Sequence, residues 1–361
     1  MNIGVPKERR PFEFRVGMVP TGVQILTQYG HTIYVEHGAG VGAGFSDQEY
    51  EKAGGKIVYS PHEVFGRADL LLKFARPLKE ELEWLRPGAA VAGMLHLASS
   101  RQDKIDLLLN NKITAIAYEL IELPDGNRPV LRPLSTIGGR LAAQIAARLL
   151  QNNEGGKGIL LGGIASVPPA EVVIIGAGVV GVNAARSFLG MGAHVTILDI
   201  DLTALEFVYD SFPGVVTQIS NEVTIAHACA TADVVVVAVL VPGERAPVIV
   251  TRQMVREMKN RSIIMDISID QGGAVETSRP TTHQLPTFVE EGVVHYCVPN
   301  IPSVVARTST YAFLNAAAPY ILELVNKGVE RAIIDNPAIE KGVNTFHGEL
   351  RHLARIAPDE D

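Results

Sequence analysis

The chain has 361 residues, 47% of them apolar and 20% charged, and a formal net charge of −7. That length exceeds one ordinary core and predicts a globular protein of two domains, while the acidic balance and the lack of any dense basic run argue against a nucleic-acid surface. No apolar run reaches the roughly 18 residues of a membrane span, and the start, MNIGVPKERR, lacks a signal-peptide core, so a cytoplasmic protein without a membrane partner is expected.

In chain order, Ile3 to Val5 predicts a strand and Pro20 opens a helix over Thr21 to Tyr29 that Gly30 ends. Thr32 to Glu36 is the next strand, and Ser46 caps a helix running to Ala53. Further strands are expected at Lys56–Tyr59, Asp69–Lys73, Ala89–Met94 and Ile113–Tyr118. This alternation predicts an α/β domain with a parallel sheet, and it contains no dinucleotide-type glycine fingerprint. Ser135 to Gln151 reads as a long alanine-rich helix and residues 152–169 as a loop rich in Gly, Pro and Asn.

The most informative stretch is Glu171 to Asp201. A β-branched run, Val172 to Ile175, ends at Gly176-Ala177-Gly178-Val179-Val180-Gly181; a helical pattern follows to about Met191, and a second apolar run, Val195 to Leu198, closes on Asp199. Strand, glycine turn, helix, strand and acid stand in the order of a dinucleotide-binding βαβ unit. Gly176 serves the tight turn, Gly178 the approach of a pyrophosphate and Gly181 the packing of helix on sheet, while the helix N-terminus faces the phosphates. Asp199 suits a ribose 2′-hydroxyl, and beside Asp201, with no Arg or Lys directly after it, favours NAD over NADP.

Strands follow at Val215–Gln218, Val234–Val241, Ser262–Ile269 and Val293–Val298, which with the two around the glycine turn make six, the number of a doubly wound unit. Thr308 to Asn326 predicts a long amphipathic helix, followed by a short helical tail expected to return to the first domain. The expected fold is therefore α/β, two Rossmann-like domains with parallel sheets, the second a doubly wound dinucleotide-binding domain, with a cleft between them. The expected boundaries are 1–131 plus 305–361 for the substrate domain and 132–304 for the NAD-binding domain.

Four polar residues stand where ligands of such sheets bind, at or after strand ends. Arg15 follows the first strand in the loop EFRVGMVP, Lys73 ends LLL, His96 ends AAVAGML, and Asp270 follows Ile267-Ser268-Ile269. Singly each has an ordinary reading: a solvated charge, a snorkelling lysine, a hydrogen-bonded structural histidine and a turn-capping aspartate. Together they suit oxidation at a carbon that bears an amine and a carboxylate. A guanidinium grips a carboxylate, a lysine polarises a carbonyl or holds the carboxylate, a histidine exchanges a proton near neutral pH and an aspartate orients ammonia or water. Cys229 and Cys297 have no CxxC or metal spacing and read as buried thiols, and no HxxE or HExxH pattern predicts a catalytic metal. A GxSxG nucleophile elbow is also missing.

Over almost its whole length the chain resembles the L-alanine dehydrogenase family, which is related to the NAD(H)-binding subunit of proton-translocating transhydrogenase. The resemblance rests on IGVPKE with FRV, LLLK, LHLA, YELIELPDG, GGIASVPPAEVVIIGAG, AVLVPG, DISIDQGG, RPTTH and NIPSVVARTSTYAFLN. It implies that Arg15 and Lys73 bind the substrate, that His96 is the acid–base group and that Asp270 assists ammonia or water. It also implies cofactor contacts from Ser135, Gly176 to Val180, Asp199, Val239, Leu240, Ile267, Val298 and Asn300, and a homohexamer. The substrates implied are an amino acid, its 2-oxo acid and ammonia.

Some positions depart from the family pattern. Phe74-Ala75-Arg76-Pro77 stands where many members read VKEP, Gly93 and Met94 replace a threonine and an aromatic, Thr136 replaces a glutamate and Ile301 a methionine. A pocket reshaped beside His96 would shift preference among amino acids, since one methylene is worth roughly 1–3 kcal/mol. A larger or basic amino acid, or reductive coupling of an amino acid to an oxo acid, is the alternative substrate reading. A transhydrogenase NAD(H)-binding subunit and a non-catalytic NAD sensor are the remaining rivals.

Overall fold

The structure is a computed structural model that describes residues 1–240 and 245–353. Val241, the last residue of one expected strand, the end of the AVLVPG stretch and residues 354–361 of the expected substrate domain lie outside the described residues. The chain forms two compact units: Met1–Leu134 with the chain from Ser303 onward, and Ser135–Pro302.

The strands in chain order are β1 (Asn2–Val5), β2 (Thr32–Glu36), β3 (Lys56–Val58), β4 (Leu70–Leu72), β5 (Ala90–Gly93) and β6 (Thr114–Ala117). In the second unit follow β7 (Glu171–Ile175), β8 (His194–Asp199), β9 (Val216–Ile219), β10 (Val234–Val237), β11 (Ile263–Asp266), β12 (Thr287–Glu290) and β13 (Val293–Tyr296). Back in the first unit come β14 (Val343–Phe346) and β15 (Glu349–Leu350).

The first unit's sheet has the order β15-β14-β6-β5-β4-β1-β2-β3. Its strands β1 to β6 are parallel, and β4, β5 and β6 are buried at every residue, which is why they read as nearly unbroken apolar runs rather than as alternation. One face packs on Phe74, Tyr118 and the long helix Ala306–Lys327, which buries Phe313, Leu314, Ala317 and Ile321 in the same core. The capped helix after Ser46 forms a full capping box with Glu49. The second unit's sheet runs β12-β13-β11-β10-β7-β8-β9, with β7, β10 and β11 at its buried centre.

Two features add antiparallel edges to the parallel sheets and the helical tail that the sequence predicts. Beyond the helices Val329–Asp335 and Pro337–Lys341 the chain ends in the hairpin β14–β15, and β14 pairs antiparallel with β6. The second sheet has seven strands, because β12 pairs antiparallel with β13. Both hairpins turn through two residues of positive φ, Glu291-Gly292 (50° and 76°) and His347-Gly348 (51° and 84°). These are the backbone states of a type I′ turn, whose usual signature is Asn-Gly or Asp-Gly. Glu and His at the first position hide that signature in the sequence.

The same hairpin buries His295. Its Nδ1 donates to the Val293 carbonyl at 3.0 Å, its Nε2 accepts from the Thr277 hydroxyl at 2.7 Å, and the ring stacks on Phe288. Burial lowers its pKa, with the Val293 carbonyl opposing. The neutral ring is therefore the folded form, and its stabilisation is present above the unfolded value of about 6.5 and lost as pH falls below it. Melting temperature is expected to fall between about pH 7.5 and 5.5 more steeply in the wild type than in His295→Gln. Equal slopes in differential scanning fluorimetry would remove His295 from that account. Among the described residues, no helix is long and apolar enough to cross a membrane.

Candidate active site

In the first unit the strand order reverses at β1 and β4, with β2 and β3 on one side and β5 and β6 on the other. Ligands of open α/β sheets bind outside the carboxyl ends at such a switch point. The segments leaving β1 and β4 there carry Glu8, Glu13 and Arg15, and Lys73 and Phe74 respectively.

Arg15 is not a solvated loop charge. It is 3% exposed, its Nε and Nη2 donate to the two oxygens of Glu13 at 2.6 and 2.5 Å, and its guanidinium carbon lies 3.9 Å from the centre of the Phe74 ring. A carboxylate along one edge and an aromatic face beneath hold the planar fork in one orientation.

Lys73 does not snorkel to solvent. Its side chain is fully enclosed, and Nζ lies 3.0 Å from Glu8 Oε2 and 2.9 Å from Glu81 Oε1. Burial by itself would lower the lysine, but the two carboxylates outweigh it and hold the ammonium above the ordinary range. Glu8 Oε1 meanwhile accepts from the Phe74 and Ala75 backbone N–H groups at 2.7 and 3.3 Å. The ammonium therefore ties the loop after β1 to the end of β4. In this geometry the ammonium faces those two carboxylates.

His96 stands three residues beyond β5 with φ 43° and ψ 46°, a left-handed conformation that non-glycine residues seldom adopt and that concentrates at functional sites. Glu119, 5% exposed, holds it there: the carboxylate accepts from the backbone N–H of Leu95 at 3.1 Å and of His96 at 2.5 Å. The same carboxylate lies 3.8 Å from His96 Nδ1, and the His96 carbonyl accepts from Ser99 Oγ at 3.1 Å. The imidazole itself remains 47% exposed, so its proton is exchangeable. Glu119 and Glu13 escaped the sequence reading. Glu119 stands just past the apolar run of β6, and Glu13 stands two residues before Arg15, which are the signals that would have found them.

The departures at Gly93 and Met94 do not empty a pocket. A Cβ on Gly93 would lie 2.7 Å from the Lys73 carbonyl oxygen, so β4 and β5 approach too closely there for a side chain. Met94 is 4% exposed, donates its N–H to the Phe74 carbonyl and packs in the core with Phe74, Tyr118 and Phe313.

In the second unit the order reverses at β7 and β10. Gly176, directly after β7, has φ 108°, and a Cβ on Gly181 would lie 1.7 Å from the Gly176 carbonyl oxygen. The helix Val179–Gly190 starts at Gly178 with no side-chain cap, and the space where a Gly178 Cβ would sit is open. Uncapped amides at a helix N-terminus beside open space fit a pyrophosphate. Asp199 ends β8 and accepts from the Ala177 N–H of the glycine turn and from Asp201 N–H at 2.9 Å. Each carboxylate oxygen has a further lone pair, so the group fits a ribose hydroxyl as well as the turn it holds. These residues fit a dinucleotide.

The turn Ile267–Gln271 follows β11 and is shaped by Asp266, which is 1% exposed. Its carboxylate accepts from the N–H groups of Ser268, Ala274 and Val275 at 3.1, 2.9 and 3.2 Å. Burial raises its pKa, with hydrogen bonds from Ser278 and these amides opposing. Ser268 Oγ donates to the Val239 carbonyl at 2.9 Å and accepts from Val239 N–H at 3.1 Å, which joins the loop after β10 to this turn. Asp270 is exposed at the end of the turn and accepts from Asn300 N–H at 3.2 Å, and Asn300 is left-handed at φ 56°. Val239, Ile267, Asp270 and Asn300 are thus brought together. Leu240 is half exposed, Ser135 lies half-buried at the first position of the unit, and the Val298 side chain is buried, leaving its backbone for any contact. Asp266 and Ser268 were missed because they sit inside an apolar run that reads as plain strand.

Residues 4–138 match the family described as alanine dehydrogenase/PNT, N-terminal domain, and residues 142–353 match alanine dehydrogenase/PNT, C-terminal domain. The chain belongs to the alanine dehydrogenase/PNT family. The alanine dehydrogenase of Methanococcus maripaludis is 48% identical over 356 residues, which cover 98% of this chain and 95% of that one. A solved structure of an L-alanine dehydrogenase superposes with a TM-score of 0.93 at 43% identity, over 98% of this chain and 97% of that one. The transhydrogenase structure from Sinorhizobium meliloti gives a TM-score of 0.82 at 26% identity, over 98% of this chain and 99% of that one. The two α/β units with mostly parallel sheets are therefore those of a family alanine dehydrogenase. Among the described residues, no group of three or more His, Cys, Asp and Glu is arranged to hold a metal.

Proposed function

We propose that this chain is an NAD-dependent alanine dehydrogenase that interconverts L-alanine, water and NAD⁺ with pyruvate, ammonium, NADH and a proton. The observation that carries the reading is full-length likeness to alanine dehydrogenases, joined to an oriented Arg15 and a left-handed His96 at one switch point.

Arg15 receives the substrate carboxylate, its fork aligned by Glu13 and Phe74. His96 takes the proton as water adds to the imine carbon and returns it to the departing amine, with Glu119 fixing its backbone and facing Nδ1. Asp270, set by Asp266 through the turn Ile267–Gln271, orients the water or ammonia. Bound NAD⁺ supplies the acceptor for the Cα hydride. It would be held by the glycine turn Gly176 to Gly181, by Asp199 at the ribose, and by Ser135, Val239, Leu240, Ile267, Val298 and Asn300. Lys73 acts through Glu8 and Glu81 rather than on the substrate. We further read the protein as a cytoplasmic homohexamer of domains 1–131 plus 305–361 and 132–304; light scattering that gives six chain masses supports the assembly and a monomer mass refutes it.

The test is NAD⁺ reduction against a panel of L-amino acids. Alanine is expected to give the highest kcat/KM. A larger or basic amino acid in that place would redirect the substrate reading, and silence across the panel with NADH still bound would favour a transhydrogenase-type or sensing role.

A further inference from the structure

We propose that the groove between the helix Leu202–Ser211 and the edge strand β9 docks an extended basic segment of a partner protein, which adds to the seven-stranded sheet as a further strand. Leu202, Leu205, Tyr209 and Ile219 line a groove of about 310 Å³ together with Glu206 and Asp210. That volume is at the lower end for ligand pockets and suits a few side chains rather than a cofactor. Leu202, Tyr209 and Ile219 are exposed, as is Val216 on the same strand.

β9 stands apart from the other edges. The two sheets end in β15, β3, β12 and β9. An edge strand offers unpaired backbone N–H and C=O groups, and a charge within it discourages unwanted pairing. Glu349, Lys56 and Glu290 supply that charge in the first three. β9, Val216-Thr217-Gln218-Ile219, carries no charge and no proline, and it pairs with β8 without a bulge. An added strand points alternate side chains toward the helix, where the apolar residues take an aliphatic group and the two acids take a cation.

Charge identifies the occupant. Between Arg186 and Arg245 the chain has no Lys or Arg and carries seven acids. No Lys, Arg or His lines the groove, and among the described residues Glu206 and Asp210 have no ion-pair partner. The two acids stand four residues apart and so share one helix face. A second copy is the wrong occupant, because an isologous contact sets these acids against their own kind and each copy carries −7. A cationic segment meets both.

The test is a fluorescence-anisotropy titration of the full chain with a labelled peptide, Ser-Lys-Thr-Ile-Thr-Lys-Ser, whose Lys, Ile and Lys side chains share one face of a strand. Saturable binding of about one peptide per chain is expected. Glu206→Gln combined with Asp210→Asn should weaken it about fivefold, the worth of two solvent-facing ion pairs, and added salt should weaken it too. The same peptide methylated on its backbone nitrogens cannot join a strand and is expected not to bind. No saturable binding, equal binding of a peptide with Glu in place of Lys, or unchanged affinity in the double variant would overturn the proposal. Equal binding of the methylated peptide would overturn it as well, and so would displacement by NADH, which places the peptide on the dinucleotide site. If the peptide fails to bind and Tyr209→Glu lowers the particle mass in light scattering, the groove belongs to a second copy and the proposal is lost. None of these readouts uses turnover, so they decide the groove whether or not the dehydrogenase reading stands.

Discussion

Replacing His96 by Ala lowers alanine turnover by roughly two to four orders of magnitude while NADH binding survives, the range typical of a lost general acid–base group. The imidazole is 47% exposed at a strand end, free to exchange its proton, and its backbone is pinned by Glu119 and Ser99. The glycine turn that would hold NADH belongs to the other unit, so its affinity is expected to stay within about threefold, less than one hydrogen bond's worth. Steady-state rates and a fluorescence titration with NADH read the two quantities separately. Turnover within a few-fold of the wild type would remove His96 from the chemistry. Glu119→Gln is the informative companion. The amide oxygen can keep only part of the hold on the Leu95 and His96 N–H groups and cannot face Nδ1 as an anion, so kcat should fall and its pH profile should move.

The second large effect is on stability. Lys73→Ala is expected to cost roughly 3–5 kcal/mol, because Glu8 and Glu81 would be left as buried carboxylates without their cation. Glu8 accepts from the Phe74 and Ala75 backbone, so the loss spreads to the loop under Arg15. A lower urea midpoint, partly recovered when Glu81→Gln is added, supports this. An unchanged midpoint with only a raised KM for alanine would instead return Lys73 to the substrate. The distinction matters, since a lysine after LLL reads equally well as a ligand or as a strut until its partners are seen.

The parts of this protein written in local pattern were legible before any coordinates. The apolar runs of β1, β2, β7 and β8, the capping box at Ser46 and the order strand, glycine turn, helix, acid around Gly176 to Asp199 each depend on residues close in the chain. Positions at strand ends were legible for the same reason, because a parallel sheet puts such ends at the ligand face, and Arg15, His96 and Asp270 followed from that. The hairpins β12–β13 and β14–β15 were not, since their turns use Glu-Gly and His-Gly where the backbone state usually selects Asn or Asp.

What only the tertiary structure decided is which charges meet. Lys73 is spent on Glu8 and Glu81, Arg15 on Glu13 and the face of Phe74, and His96 is set by Glu119, while Arg76, a departure in a motif, donates to Ser99. Pairs such as Glu8 with Lys73 and His96 with Glu119 lie many residues apart in the chain. Nothing in local periodicity encodes them. Ion pairs are chosen by burial and distance, and both exist only once the sheet has brought the ends of β1, β4, β5 and β6 side by side.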